Sequence, residues 1–379
     1  MVDTSRDTRE PEQAALSRKT YPYDRWMESI GIPIHRGYYV EDLRTLSVSH
    51  WDERECDAAF IQLPGQEGVT EARVTEIRPA ATLPPRRFAL DEVVYVAQGR
   101  GLTTIWGSDG GRKSFEWQAH SMFVLPANST HQISNTRGDQ PARLLHYNYL
   151  PLAMSMNPDT DFYFSNPYQI PNAVVGGEDL YSEMKLLADP LIPAGRAFGV
   201  YWCGNFFPDM RAWDRLSALK QRGAGGRAVF IRFPGCEITA HMSVFDPRRY
   251  KKAHRHGPGR VIVIPAGEGF SVLWEEGKEK RVVPWHECSV FVPPNRWFHQ
   301  HFNIGGETAR YLALHPLPQF SGHSERVQDV SRDQIEYPDE EPWIREKFEE
   351  ELAKRGLTSL MPEEAYRDRN YEWEYGDDE

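Results

Sequence analysis

Cysteine is scarce in this chain of 379 residues, with only four present. Cys56, Cys203, Cys236 and Cys288 are scattered, without a CxxC pair or a dense framework, which excludes a disulfide-stapled secreted scaffold and suits free thiols in a reducing compartment. Long apolar runs are also missing. None approaches the ~20 residues of a membrane-spanning helix, and the start, Met-Val-Asp-Thr-Ser-Arg-Asp, has no hydrophobic signal core, so a cytoplasmic location is expected. Basic charge is in deficit. A formal net charge of −11 argues against a nucleic-acid partner, because phosphate backbones reward basic surface. What is present is 40% hydrophobic and 12% aromatic residues, enough for two domains that each bury a core.

Two stretches concentrate the chemistry. The first is Lys252-Ala-His254-Arg-His256-Gly-Pro-Gly-Arg260, and the second is Pro294-Asn-Arg-Trp-Phe-His299-Gln-His301-Phe-Asn303. His254 and His256 alternate, so on a strand both imidazoles point to one face. His299 follows the apolar run Ser289-Val-Phe-Val-Pro-Pro, which also reads as strand. Three neutral imidazoles from neighbouring strands would make a metal site with open positions, suited to iron, zinc, copper or nickel rather than magnesium or calcium. The bland reading is a solvated strand face next to the basic segment Arg248-Arg-Tyr-Lys-Lys.

These residues resemble the two motifs of the cupin superfamily, small antiparallel β-barrels with a central metal. His254, His256 and Gly267 match the first motif, with Arg260 where the family has a ligand Glu; Pro294, His299 and Asn303 match the second, with Arg296 where Gly is usual. Arg248 also replaces a Gly expected before the His pair. Without the Glu the site is reduced to three histidines. That pattern is similar to gentisate 1,2-dioxygenase and its relatives, and the resemblance implies Fe(II) held by His254, His256 and His299.

The chain also repeats itself. At a constant spacing of 168 positions (99 to 267, 131 to 299), Gly99 meets Gly267, Gly101 meets Gly269 and Trp106 meets Trp274. Ser121, Phe123, Val124 and Pro126 meet Ser289, Phe291, Val292 and Pro294, and His131, Gln132 and Asn135 meet His299, Gln300 and Asn303. The expected fold is therefore mainly β, a bicupin of two antiparallel jelly-roll barrels. Short alternating runs such as Val93-Val-Tyr-Val agree. Where the second copy has His254 and His256, the first has Arg86 and Phe88. It keeps Glu92 and His131, too few ligands for tight metal binding. The first barrel is read as metal-free, with Glu92 and Arg86 as an internal ion pair.

The domain reading is an N-terminal arm and lead-in over 1–60, loose up to about residue 20. A metal-free barrel over 61–150 and a helical or loop connection over 151–226 follow. The metal-bearing barrel spans 227–320, and an acidic C-terminal helix and tail 321–379. Helical spacing predicts helices from Glu178 and from Met210, and a C-terminal helix from Trp343 that stops at Gly356. The aromatic segment Tyr21 to Ile32 would pack on a barrel or on a partner, and exposed barrel edges suggest a homo-oligomer, dimer or tetramer.

The resemblance implies a ring-cleaving dioxygenase that takes O2 and a small hydroxylated aromatic acid, gentisate- or salicylate-like. Arg260 should point inward, as a clamp on the substrate carboxylate or in a salt bridge to Glu237 or Glu287. His301 lies on the face of His299, as an acid/base group, a ligand or a rim residue. Trp274, Phe291 and Trp297 are candidate substrate walls, with core packing as the alternative. His241 is a possible pocket wall; His35, His50, His120 and His146 carry no recognisable spacing. Two other functions fit the same residues: a Zn, Ni or Mn isomerase or lyase, and a non-catalytic small-molecule binder.

Overall fold

The computed structural model describes residues 21–66, 68–107, 111–168, 170, 181–188, 200–212, 216–218, 220–320 and 330–375. The loose arm expected before residue 20 and the terminal acidic run lie outside them. Among the described residues all four cysteines are free, and no helix is long and apolar enough to cross a membrane.

Alternating and β-branched runs form the strands, and each copy of the repeat builds two facing sheets. In the first copy the strands Glu71–Ile77, Ala142–Asn148, Glu92–Gln98 and Met122–Leu125 lie side by side, opposite a sheet ordered Arg86–Arg87, Thr130–Asn135, Arg100–Trp106, Arg112–Gln118. The second copy places Thr239–Phe245, Ala309–His315, Val261–Ala266 and Val290–Phe291 in the same order. Opposite them lie Arg281–Trp285, Gly269–Trp274, Phe298–Asn303 and Ala253–His254. The fold is the bicupin.

The repeat is structural down to single bonds. Asn135 Nδ2 donates to the carbonyls of Ile77, Arg78 and Gln140, and Asn303 Nδ2 to those of Phe245, Asp246 and Glu307. Trp117 Nε1 donates to Thr103 Oγ1 and Trp285 Nε1 to Ser271 Oγ. Left-handed backbone recurs at Ala80 and Arg248, at His120 and Cys288, and at Asn128 (φ 54°) and Arg296 (φ 61°). Arg248 and Arg296 thus keep the backbone that the motif's glycines would adopt freely, at a cost of roughly 1–2 kcal/mol per residue.

The two copies share one core. Val93, Tyr95, Leu145 and Tyr147 of the first pack with Val229, Met242, Val263 and Leu312 of the second. The lead-in strand Tyr39–Val40 pairs with Val290–Phe291 of the second copy, and Phe206–Phe207 from the connection pairs with Met122–Phe123 of the first. Strand Cys56–Gln62, which the boundary drawn at residue 60 would cut, belongs to the first copy's larger sheet. The Tyr21–Ile32 segment forms helix Pro22–Ile30, with Pro at its start and Gly31 in the left-handed region at its end, and packs Tyr23 and Met27 on the first barrel.

The connection corrects two expectations. Residues 185–187, expected in a helix, belong to an exposed strand, Lys185–Ala188, paired with Val200–Cys203. Met210 to Ala212 is a turn, and Ser217–Ala218 a short strand on Arg227–Arg232. Residues 178–180, 213–215 and 219 lie outside the described residues. An open sheet edge supplies hydrogen bonds that override weak helical spacing. The connection's helices are instead Leu150–Met156 and Thr160–Phe164.

The C-terminal helix, Pro342–Ala353, buries Ile344, Phe348 and Leu352, one face at a spacing of four, and the chain turns at Gly356 (φ 69°). It covers the outer face of the second barrel, where Phe302 and Tyr250 meet Phe348. Glu340 enters that layer, accepting from Tyr250 Oη (2.9 Å) and Gln300 Nε2 (2.5 Å). Burial pushes its carboxyl up to about 8. Because the folded value exceeds the unfolded one, this group favours folding below the ordinary Glu range and its contribution is lost as pH rises to about 8. Glu340→Gln, which keeps the shape without the titration, should flatten the fall in Tm between pH 5 and 8; an unchanged pH–Tm curve would count against a buried acid here.

Candidate metal centre

His254 stands on the strand Ala253–His254, and its register partner is His299 on Phe298–Asn303. His256 follows on the segment that turns into Gly257 and Pro258, tied by its carbonyl, which accepts from Arg296 N (2.9 Å). Ring centroids are 4.3 Å apart for His254 and His299 and 4.5 Å for His256 and His299. One nitrogen of each ring lies within 4.8 Å of the others. All three side chains are buried.

The backbone sets which nitrogen faces inward. Nδ1 of His256 donates to the Gly257 carbonyl (2.8 Å), Nδ1 of His299 to Trp297 (3.2 Å) and Nδ1 of His254 to Lys252 (3.4 Å). A carbonyl only accepts, so each proton sits on Nδ1 and each Nε2 keeps its lone pair. Nε2 of His299 is sealed from solvent with no hydrogen-bond partner. An orphaned acceptor in a buried neutral triad is what a divalent transition metal would satisfy, so the residues fit one. Burial, followed by the cations Arg260 and Arg222, holds His299 down to about 3; burial first, then Arg222 for His254 and Arg260 for His256, holds those two well below the ordinary value. All three stay neutral at pH 7.

A carboxylate from the C-terminal segment straps the two ligand-bearing stretches together. Asp333 Oδ1 accepts from Arg255 Nε (3.0 Å) and from Arg296 (2.6 Å), and strand Gln334–Ile335 pairs with Ala253–His254. Asp333→Ala should weaken metal affinity by about 10-fold, at the low end for outer-sphere partners. Competitive chelation reads this directly, and undiminished affinity would show the strap to be idle.

The charged groups nearest the imidazoles of the second barrel are cationic. Burial pulls Arg260 and Arg222 each down to about 10 and lowers Lys251. Arg260 makes no ion pair with a carboxylate among the described residues, and its Nε is buried without a partner. Glu287, one salt-bridge candidate, is engaged by Arg44 at 2.9 Å; Glu237, the other, is exposed. Arg222 donates to Gln334 Oε1 (2.7 Å) and Lys251 to Tyr311 Oη (3.3 Å).

The remaining candidates separate. His301 shares the inward face but sits apart from the triad, its Nδ1 on Ser271 Oγ (2.8 Å) and its ring 5.1 Å from Tyr311. Phe291 is buried, 5.6 Å from His301 between ring centroids. Trp297 lies half-buried against Tyr38. Trp274 is not brought to the imidazoles: it stacks on Phe298 in the layer under the C-terminal helix, because even positions of the Phe298–Asn303 strand face outward. His241 bonds His315 (2.6 Å) inside the same barrel. Lys251, Tyr311 and His315 escaped the sequence reading. Alternation along Ala309–His315 puts Tyr311 and His315 on one face and was a signal for both; Lys251 and Arg222 had none.

The first barrel departs from expectation in one pairing. Glu92 pairs not with Arg86 but with Arg73 (2.6 Å), and also bonds His146 (2.7 Å) and Asn148 (3.1 Å). Arg86 instead donates to the Glu53 carbonyl. Strand Glu71–Ile77 aims Arg73 inward from the far side of Ala142–Asn148, which lies between it and the strand of Glu92, whereas Arg86 lies at the barrel's edge.

No family profile and no curated protein matches the chain. Solved structures similar to it include the oxalate decarboxylase of Lactobacillus farciminis in a formate complex, at 14% identity and TM-score 0.48, over 75% of this chain and 87% of that one. Another is the oxalate decarboxylase of Bacillus subtilis at pH 4.6, at 12% identity and TM-score 0.46, over 74% and 76%. A further structure of the Bacillus subtilis enzyme, studied for its Mn(II) centres, aligns at 13% identity and TM-score 0.45, over 76% and 78%.

Proposed function

We propose that this protein is a metal-dependent enzyme that acts on a small carboxylate at His254, His256 and His299. The observation that carries the reading is Arg260: a half-buried guanidinium with a sealed Nε and no carboxylate partner among the described residues, beside three neutral imidazoles, in a barrel that also holds Arg222 and Lys251. A neutral ligand set leaves a divalent ion's charge uncancelled, and Arg260 adds another, so an anion that meets both is strongly favoured.

The first reading within this is a ring-cleaving dioxygenase of a hydroxylated aromatic acid, with Fe(II) supplying the site at which substrate and O2 are activated together. In it Arg260 orients the substrate carboxylate, Phe291 and Trp297 bound the ring, and His301, held by Ser271, handles a proton. The second is a redox-neutral lyase or isomerase with Mn, Zn or Ni. Lys251 and Tyr311 favour it, since Lys251 lowers the Tyr311 hydroxyl against the pull of burial and readies it to move a proton inside the barrel. A cytoplasmic homo-oligomer belongs to both readings.

Metal analysis and O2 uptake by the reconstituted protein, over a panel of hydroxylated aromatic acids and small aliphatic carboxylates, decide between them. Iron with O2 consumption supports the dioxygenase, and turnover without O2 on Mn, Zn or Ni supports the lyase. A site that takes no metal removes both and leaves a binding protein.

A further inference from the structure

The first barrel contains a small cavity of its own, of about 40 Å³. Its polar lining includes Arg54, Arg73, Arg86, Glu92, His131 and His146, and its apolar walls are Trp51, Leu83, Phe88 and Ile133. The charges there are unevenly matched. Arg73 is bound by both Glu71 and Glu92, the carboxylates nearest to it. Arg54 and Arg86 form no ion pair with a carboxylate among the described residues. Arg54 instead lies over the rings of Trp51 (5.0 Å) and Phe164 (4.9 Å). With His131 held down to about 4 and His146 also lowered, both by burial, the histidines are neutral. Three guanidiniums against two carboxylates leave one positive charge uncancelled.

Three buried atoms in this lining have no partner: Trp51 Nε1, Arg86 Nε and His146 Nε2. A guanidinium held out of water without an anion is unfavourable, and the unpaired donor Arg86 Nε marks where a ligand's acceptor would go, whereas His146 gives its Nδ1 proton to Glu92 and so keeps an acceptor at Nε2. Arg54, Arg86 and Trp51 also line a second, outer cavity with Trp26, Arg87 and Phe164. The two arginines therefore stand between the interior and the outside, where an entering anion would meet them. Arg86 and Phe88 occupy the repeat positions of His254 and His256, so two metal ligands of one copy are an anion-binding group and an apolar wall in the other.

We infer that the first barrel is a metal-independent binding site for a small monocarboxylate with an apolar body, its carboxylate held by Arg54 and Arg86 and its body against Phe88, Ile133 and Leu83. One excess charge selects a monoanion, and the apolar walls select against inorganic anions.

The test is calorimetric titration of the full-length, metal-free protein with benzoate and with isobutyrate, and with phosphate and chloride as inorganic probes. It is run in wild type, Arg260→Met, Arg86→Met and Arg54→Lys, with circular dichroism to verify folding. Arg260→Met removes the carboxylate partner of the second barrel, so binding that survives in it belongs to the first. The expected result is saturable binding of an organic carboxylate in Arg260→Met at one per chain, weakened at least about 30-fold by Arg86→Met, as for loss of a buried charge partner. Arg54→Lys keeps the charge but not the fork, and should weaken binding about 10-fold; it carries the test if Arg86→Met does not fold. No saturable binding in Arg260→Met, full binding in both first-barrel variants, or tighter binding of phosphate or chloride than of either organic acid would overturn the proposal.

Discussion

His299→Ala is expected to leave the protein folded and without metal. His299 is the imidazole common to both short ring contacts, with His254 at 4.3 Å and His256 at 4.5 Å, and its Nε2 is the sealed nitrogen that has no hydrogen-bond partner. Two imidazoles alone do not define a site. The loss in affinity should exceed the ~10–100-fold seen when only an outer partner is removed. In the wild type, added metal should raise Tm by mass action, because it binds the folded chain. In the variant that rise should vanish together with turnover. A variant that keeps its metal and its activity would show that the triad is not the centre.

Arg260→Met is expected to raise stability and destroy catalysis. The side chain is half-buried, its Nε is sealed from solvent with no hydrogen-bond partner, and desolvation has already drawn its pKa down to about 10. A methionine of similar length fills the space without the desolvation cost of a charge, so Tm should rise. If Arg260 binds the substrate carboxylate, removing it should cost about 2–5 kcal/mol of binding, or roughly 30- to several-thousand-fold in kcat/KM. The opposite signs of the two effects make the test sharp. An internal salt bridge would give a fall in Tm with little change in kcat/KM on carboxylate substrates, and that result would remove the clamp.

The comparison of repeat copies made most of the fold legible. The spacing of 168 positions holds for Thr130–Asn135 against Phe298–Asn303 and for Glu71–Ile77 against Thr239–Phe245, strand for strand. It was visible because the residues it preserves answer backbone needs, such as the three carbonyls caught by Asn135 and by Asn303. The connection was not legible. Lys185–Ala188 is a strand only because Val200–Cys203 offers it an edge, and no local pattern records that. At the site, the triad followed from the alternation of His254 and His256 and from motif spacing. Of the two readings of Trp274, substrate wall or core packing, the structure gives packing, because its strand position turns it to the outer layer.

The amino-acid sequence by itself determined the duplicated barrel, the inward set of three histidines and the exchange of a glutamate for Arg260. Each depends on periodicity or on a short motif, which are local and so are written in the chain. Only the tertiary structure decided that Glu92 is held by Arg73, that Asp333 straps the two ligand segments, and that Arg260, Arg222 and Lys251 share one barrel interior with no carboxylate to match Arg260. Charge balance inside a cavity depends on which side chains from distant strands face one another, and strand pairing across many tens of residues sets that.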